Sequence, residues 1–271
     1  MPIVVHAETR RLSQEEFAAI AYEVVRCLFD FHNGFGRLFD EQVYRREVAR
    51  RCNGLPEVPV EVTHAGFQTF LYIDLLVAQG AVFELKAVDS LHDRHRAQLL
   101  QYLLMAELSH GKLVNLRPEA VEHEFVNTSL TRADRIVFST RDDDWDSSFP
   151  GSRNLRTVTE NILRDIGTGL DVSLYEEAVM YSLGGEDEVL REIDVFSDGQ
   201  IIGRQKFKLS GPLTHFRITA LDERSRSGYA DHLRRFLKHT SLEAIHWINA
   251  TRREVNFTTL TRTNSGQNPN G

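Results

Sequence analysis

The sequence predicts an α/β fold built twice, as two related lobes, each a mixed sheet flanked by helices. Three observations carry this. Helical and strand periodicities follow one another along the first half in the order helix, helix, three strands, helix, strand. The second half repeats apolar and turn positions of the first at an offset of about 133 residues. The composition, 41% hydrophobic and 26% charged over 271 residues, suits ordinary globular cores.

The elements read in order as follows. Ser13 and Glu16 have the spacing of a capping box, and Phe17, Ile20, Ala21, Val24, Val25 and Leu28 continue at helical spacing, which predicts a helix over about 14–30. The run His32-Asn33-Gly34-Phe35-Gly36 is expected to break it. A second helix is expected over about 37–51, with Leu38, Val43, Tyr44 and Val48 inward. Val58, Val60 and Val62 alternate with polar residues at strand period. Phe67 to Val77 is a second strand, Ala78-Gln79-Gly80 a tight turn, and Ala81 to Val88 a third strand. A helix over about 92–109 buries Leu99, Leu100, Leu103 and Leu104, and Lys112 to Leu116 is a short strand.

Composition limits function. No apolar run approaches the ~20 residues that cross a bilayer, so no membrane partner is expected. Cys27 and Cys52 are too few for a disulfide framework and read as thiols of a reducing, cytoplasmic compartment. The net charge is −7, split as −4 through Arg132 and −3 beyond it. Neither half is the basic body of a nucleic-acid coat protein, but a bound cation reverses the local sign of an acidic site, so chemistry on a polyanion stays open.

One constellation carries chemistry. Glu84 and Lys86 are two apart on a strand and share a face. Asp74 stands in the apolar run of the preceding strand, joined by a short turn, so Asp74 and Glu84 converge. Two converging carboxylates call for a cation, and oxygen donors without a His/Cys cluster favour Mg²⁺ or Mn²⁺. Lys86 is placed to orient or deprotonate a water. Glu41 on the helix before the sheet is a further candidate acid, and Gln98 on the helix after it could orient Lys86 or the water. Taken singly each has a blander reading: Glu84–Lys86 a solvated ion pair, Glu41 a partner of Arg45 one turn on, Gln98 a surface amide.

The stretches GRLFDEQVYRREV, YIDLLV, VFELKAVDSL, AQLLQYL and GKLVNL, in this order, resemble the PD-(D/E)XK nuclease superfamily, and more narrowly the small prokaryotic GxxExxxR protein family, over residues 12–130. Glu41 and Arg45 keep the E-x-x-x-R part of that motif, while Leu38 replaces its glycine and Gly36 eases the turn two residues earlier. The resemblance implies a Mg²⁺-dependent nuclease core: Asp74, Glu84 and Glu41 as metal ligands, and Lys86, Glu84, Asp74 and Gln98 as the catalytic set. It implies hydrolysis of phosphodiester bonds in nucleic acid, DNA in preference to RNA, through a metal-activated water. The alternative is a catalytically idle, nuclease-like binding or scaffold protein.

In the repeat, Phe83–Asp89 aligns with Phe216–Asp222, Val114-Asn115 with Ile248-Asn249, and Phe39–Tyr44 with Leu170–Tyr175. The second copy keeps apolar positions and loses the chemistry: Glu41 becomes Val172, Asp74 falls on Phe207, Glu84 on Arg217, Lys86 on Thr219 and Gln98 on Asp231. The expected organisation is an intact nuclease-like lobe at 1–139, an acidic linker, a degenerate repeat lobe at 155–262 and a disordered tail at 263–271. The two lobes are expected to form an intrachain pseudo-dimer, the whole a monomer or homodimer. Arg217, Lys206 and Lys208 are candidates to hold a phosphate backbone.

Overall fold

Ser13 and Glu16 do close a reciprocal cap, Glu16 N to Ser13 Oγ at 3.1 Å and Ser13 N to Glu16 at 2.7 Å, and the helix they start opens the first of two units in the computed structural model. The structure describes residues 1–142 and 144–262, which leaves the expected disordered tail outside the described residues. The units are Met1–Asp134 and Arg135–Gly271.

The first unit contains β1 (Ile3–Val5), α1 (Gln14–Phe35), α2 (Glu41–Cys52), β2 (Leu55–His64), β3 (Phe67–Val77), β4 (Ala81–Lys86), α3 (Asp93–Ala106), β5 (His110–Asn115) and β6 (Glu122–Asn127), and the boundary falls within the short α4 (Arg132–Arg135), whose last residue opens the second unit. Its six strands lie in the order β1-β2-β3-β4-β5-β6. All neighbours are antiparallel except β4 and β5, which are parallel because α3 crosses between them. Phe17, Val24 and Leu28 of α1 and Tyr44 and Val48 of α2 bury against Leu75, Phe83 and Leu85 on one sheet face. The chain alternation therefore sends Asp74, Glu84 and Lys86 to the other face, beneath α3.

Several boundaries differ from expectation for visible reasons. The first helix runs through His32-Asn33-Gly34, because Phe31 and Phe35 stack at 4.4 Å and His32 Nε2 bonds Pro118 O at 3.1 Å. It ends at Gly36, whose φ of 85° is left-handed. The second helix starts at Glu41 rather than 37, leaving Arg37–Asp40 as a loop. The third strand stops at Lys86 because the next two amides bond side chains instead of a neighbouring strand: Ala87 N to Glu41 Oε1 at 3.1 Å and Val88 N to Asn115 Oδ1 at 3.1 Å.

The second unit contains β7 (Ser139–Asp142), α5 (Ser152–Ile166), α6 (Val172–Ser182), α7 (Glu186–Val189), β8 (Leu190–Ser197), β9 (Gln200–Gly211), β10 (Thr214–Thr219), α8 (Glu223–Lys238), β11 (Ala244–Ala250) and β12 (Glu254–Thr261). Its sheet order is β7-β12-β11-β10-β9-β8. Five of its strands repeat the first unit: β8 to β12 pair in the order and senses of β2 to β6, including the single parallel pair β10–β11 under a crossover helix. The sixth strand differs, β1 joining beside β2 but β7 beside β12.

Single bonds repeat too. Tyr44 Oη donates to Gly36 O at 2.8 Å, and Tyr175 Oη to Gly167 O at 2.7 Å. Both glycines have φ 85°. Val88 N bonds Asn115 Oδ1, and Leu221 N bonds Asn249 Oδ1 at 2.7 Å.

The acidic stretch 140–154, expected as a linker, is part of the second unit. It supplies β7, and Trp145 and Phe149 pack on the buried His246 ring at 4.5 and 6.1 Å. Its two aromatic residues outweigh its acidic composition, because burying large rings is worth more than solvating a few carboxylates. Among the described residues no helix is long and apolar enough to cross a membrane.

Candidate functional site

The site of the first unit lies where β3 and β4 part. They pair from Val77↔Ala81 to Leu75↔Phe83 and then separate. The amide of Leu85 is thereby left without a strand partner, and Asp74 Oδ2 accepts from it at 3.0 Å. Glu84 and Lys86 project on the same face, Lys86 Nζ lying 2.5 Å from Glu84 Oε1. Asp74, Glu84 and Lys86 are all buried, Glu84 with 0% of its surface exposed. The sequence-predicted convergence of these three residues is therefore present.

The electrostatics follow from burial. Desolvation, reinforced by the charge of Asp74, pushes the Glu84 carboxyl up to about 8 against the opposing pull of Lys86. Burial works to lower Lys86, but the acids around it, Glu84 first and then Asp74 and Glu41, together outweigh burial and hold the ammonium above its ordinary range. Glu84 Oε2 is buried with no hydrogen-bond partner. An orphaned carboxylate oxygen in a dry site is costly unless something electropositive meets it.

Two other predicted residues behave differently from one another. Glu41, at the first turn of α2, reaches the site's edge, where its Oε1 accepts from Ala87 N, one residue beyond Lys86. Gln98 gives its amide to another neighbour: its Nε2 lies 3.4 Å from Tyr102 Oη, one turn along α3. Spacing puts Gln98 on the inward side of the helix but cannot tell which neighbour within reach takes its amide.

Residues outside the predicted set complete the place. Arg45 donates from Nη1 to Asp74 Oδ1 at 2.5 Å and from Nη2 to Glu57 Oε1 at 2.8 Å. It is thus Asp74, not Glu41, that takes the arginine. Glu57 stands opposite Asp74 in the β2–β3 ladder, between the pairs Pro56↔Leu75 and Val58↔Ile73, with a left-handed φ of 51°. Arg117 ties the loop before α2 to the end of β4, donating from Nε to Ala87 O at 3.2 Å and from Nη1 to Arg37 O at 3.1 Å. Nothing in the sequence marks Glu57. The E-x-x-x-R spacing marks Arg45 only as a helix neighbour of Glu41.

The corresponding place in the second unit is built from other chemistry. Arg217 lies where Glu84 aligns, donating from Nε to Tyr229 Oη at 3.2 Å, with Glu176 at 3.7 Å. Thr219 bonds Asn249 Oδ1 and Trp247 Nε1, both at 2.8 Å. The amide of Ile218, aligned with Leu85, is satisfied from α6 by Glu176 Oε1 at 3.2 Å, and Lys208 Nζ binds the other Glu176 oxygen at 2.6 Å. Lys208 is therefore tied to an internal carboxylate, while the Arg217 side chain stays 46% exposed. Sequence alignment shows the charge of Lys208 but not the acid on α6 that pairs with it.

Among the described residues no group of three or more His, Cys, Asp or Glu side chains is arranged to hold a metal ion. The donor set of the first unit nevertheless fits a divalent cation of the Mg²⁺ type, which keeps several waters and needs only one or two protein carboxylates. Asp74 and Glu84 supply two, and Glu84 Oε2 is the buried oxygen awaiting a partner.

In class, then, the first unit is a mixed α/β core whose forked strands bring two acids and a lysine together under one crossover helix. Residues 18–127 match the family model of the PD-(D/E)XK nuclease superfamily, a span that contains every site residue from Glu41 to Gln98. A solved structure described as the crystal structure of SSO0001 is 18% identical, over 48% of this chain and 72% of that chain, with a TM-score of 0.25. None of the curated proteins matches the chain.

Proposed function

We propose that the first unit is a divalent-cation-dependent phosphodiesterase acting on nucleic acid, with DNA the preferred polymer. The observation that carries it is the buried carboxylate pair Asp74–Glu84 beside Lys86, with one Glu84 oxygen unpartnered, inside the span that matches the nuclease superfamily. Asp74 and Glu84 would hold the cation, Mg²⁺ or Mn²⁺, with Glu41 as an accessory acid at the rim. When bound, that cation acidifies a water and stabilises negative charge on the phosphate. Lys86, kept protonated by Glu84, is positioned to orient the water and to offset charge on the reacting phosphate. Asp74, anchored by the Leu85 amide, fixes the acid pair at the strand fork.

The shared strand order, the repeated tyrosine–glycine bond and the aligned asparagines support a tandem duplication of a GxxExxxR-like unit. Its second copy has exchanged the acid pair for Phe207 and Arg217 and the lysine for Thr219, and we read it as catalytically idle. A cytoplasmic setting suits the two free thiols.

A second reading, an idle nuclease-like scaffold throughout, is favoured by one observation: Arg45 and Lys86 already neutralise Asp74 and Glu84. Calorimetric titration with Mn²⁺ separates the two. Binding that Glu84→Ala abolishes, with Mn²⁺-dependent cleavage of plasmid or oligonucleotide lost in Lys86→Ala, is the expected result. Cleavage surviving both Lys86→Ala and Asp74→Ala overturns the assignment.

A further inference from the structure

We infer that the exposed apolar lip beside this site is a stacking surface for unpaired bases, so that the first unit takes its substrate as a single strand. The inference rests on the phosphodiesterase reading and names its substrate class. The lip is the turn between α1 and α2. Phe35 is 57% exposed and Leu38 82% exposed, with Phe39 and Val43 also open to solvent. Phe31 lies beneath, stacked on Phe35 at 4.4 Å and 6.4 Å from Phe39. Four exposed apolar residues within nine positions of one turn exceed the singly scattered apolar residues of ordinary surface.

Three hydrogen bonds join this lip to the end of β4. Arg117 holds Arg37 O, in the middle of the turn, and Ala87 O, just after Lys86. Glu41, which follows the turn, holds Ala87 N. The lip is thereby fixed beside the end of β4, one residue from Lys86.

The second unit provides an internal comparison. Its corresponding turn keeps the same tyrosine–glycine bond, yet Ile166 and Leu170, aligned with Phe35 and Phe39, are 0% and 4% exposed. That turn is closed by its own unit: Arg135 packs on Gly167, and Thr168 donates to Arg252 O at 2.8 Å. The unit that has lost the acids covers its turn, and the unit that keeps them leaves it bare.

The chemistry of the lip selects the form of nucleic acid. A duplex hides the faces of its bases and presents charged phosphates, which an apolar turn cannot reward. Unpaired bases offer π-faces that stack on phenylalanine while the phosphates meet cations. Such cations are at hand. Arg46 is exposed one turn after Val43 with no acidic partner among the described residues, and Arg37 has only Glu119 at 3.9 Å.

The test measures binding without turnover. Full-length protein in EDTA is titrated against fluorescein-labelled oligo-adenylate as a DNA single strand, an RNA single strand and a DNA duplex, followed by anisotropy. The expected result is single-strand affinity at least about tenfold above that for duplex. Leu38→Ser alone, at an almost fully exposed position, and Phe35→Ser with Leu38→Ser are expected to remove most of that difference while duplex affinity stays unchanged. The preferred sugar then identifies the polymer. Equal affinity for duplex, unchanged single-strand binding in the variants, or sedimentation showing wild-type dimers that Leu38→Ser converts to monomers overturns the inference. Strand binding that depends on the lip without cleavage under any divalent cation would remove the phosphodiesterase reading alone. Cleavage of duplex that ignores the lip would remove the lip alone.

Discussion

Arg45 and Asp74 form a 2.5 Å ion pair in which both side chains are largely buried, and the same guanidinium reaches Glu57 on the facing strand. One cation thus holds two acids that the β2–β3 ladder places opposite each other, while Asp74 also stands beside Glu84. Without it, the buried Asp74 would face Glu84 and Glu57 with no counter-charge of its own. Removing one partner of a buried pair usually costs ~3–5 kcal/mol, because the other charge is left uncompensated. Solvent at Glu57 lessens this, and Arg45→Ala is expected to cost about 2–3 kcal/mol. Faster hydrogen exchange at the Leu85 amide, whose acceptor Asp74 is freed, gives the local readout. Added Mn²⁺ is expected to restore stability more in the variant than in the wild type, since the cation takes over the role of Arg45. Equal Mn²⁺ stabilisation of both proteins would show that metal and arginine do not meet at Asp74.

Gly36 and Gly167 share a φ of 85° and a tyrosine hydroxyl on their carbonyls, but their surroundings differ. A Cβ on Gly36 meets nothing within 4 Å, whereas one on Gly167 comes within 2.9 Å of Arg135 Nη1 and 3.0 Å of its Cβ. Gly36→Ala is therefore expected to cost only the penalty of its glycine-type backbone, φ 85° and ψ −173°, about 1–3 kcal/mol. Gly167→Ala carries the same penalty and also displaces a fully buried arginine. Calorimetry of the two variants should show the larger loss for Gly167→Ala, and equal losses would refute the packing argument.

The elements of the first unit were legible because local signals and tertiary packing agree there. The Ser13–Glu16 box, the run from Phe67 to Val77 and the E-x-K strand each sit where pattern alone puts them. The Asp74–Glu84–Lys86 convergence was legible for the same reason, as a two-residue period and a short turn fix it. Glu57 was not, because its role depends on strand register across the sheet and on the tertiary contact that brings Arg45 of the preceding helix to it, rather than on any spacing. Gln98 was placed on the correct face, but its amide went to Tyr102. Trp145 and Phe149 were hidden by their acidic neighbours, since composition averages over the two rings that decide where the segment packs.

Lys206 and Lys208 are two apart on β9 and look equivalent in sequence. Lys208 Nζ is 2.6 Å from the buried Glu176, which also supports the Ile218 amide. Lys206 is exposed on the edge of the β8–β9 ribbon. Lys208→Ala is expected to destabilise the second unit by about 1–3 kcal/mol, Arg217 compensating in part, and Lys206→Ala to stay within about 0.5 kcal/mol. Both tryptophans, Trp145 and Trp247, belong to the second unit, so urea unfolding followed by tryptophan fluorescence reads that unit selectively. A larger loss for Lys206→Ala would mean that Glu176 does not need its lysine.

His246 is fully buried between Trp145 and Phe149, and its Nδ1 meets Ser210 Oγ at 3.0 Å while Nε2 has no partner. Burial pushes its pKa down to about 4, with Asp146 opposing weakly. The unfolded chain, with an ordinary histidine pKa near ~6.5, takes up this proton first as pH falls. Stability is then unaffected above pH 6.5, declines as pH falls from about 6.5 to about 4, and levels off below, for a total loss of about 3 kcal/mol. His215 is lowered to about 4 by the same cause, so the second unit of the wild type should lose stability over this window with a slope of nearly two protons. His246→Phe keeps a ring between the two aromatics and removes one titration. Its unfolding free energy, followed by tryptophan fluorescence between pH 7.5 and 4.5, should fall with a slope of nearly one proton. A slope unchanged from wild type would show that His246 already carries its proton in the folded unit, with Nε2 as a donor to a partner.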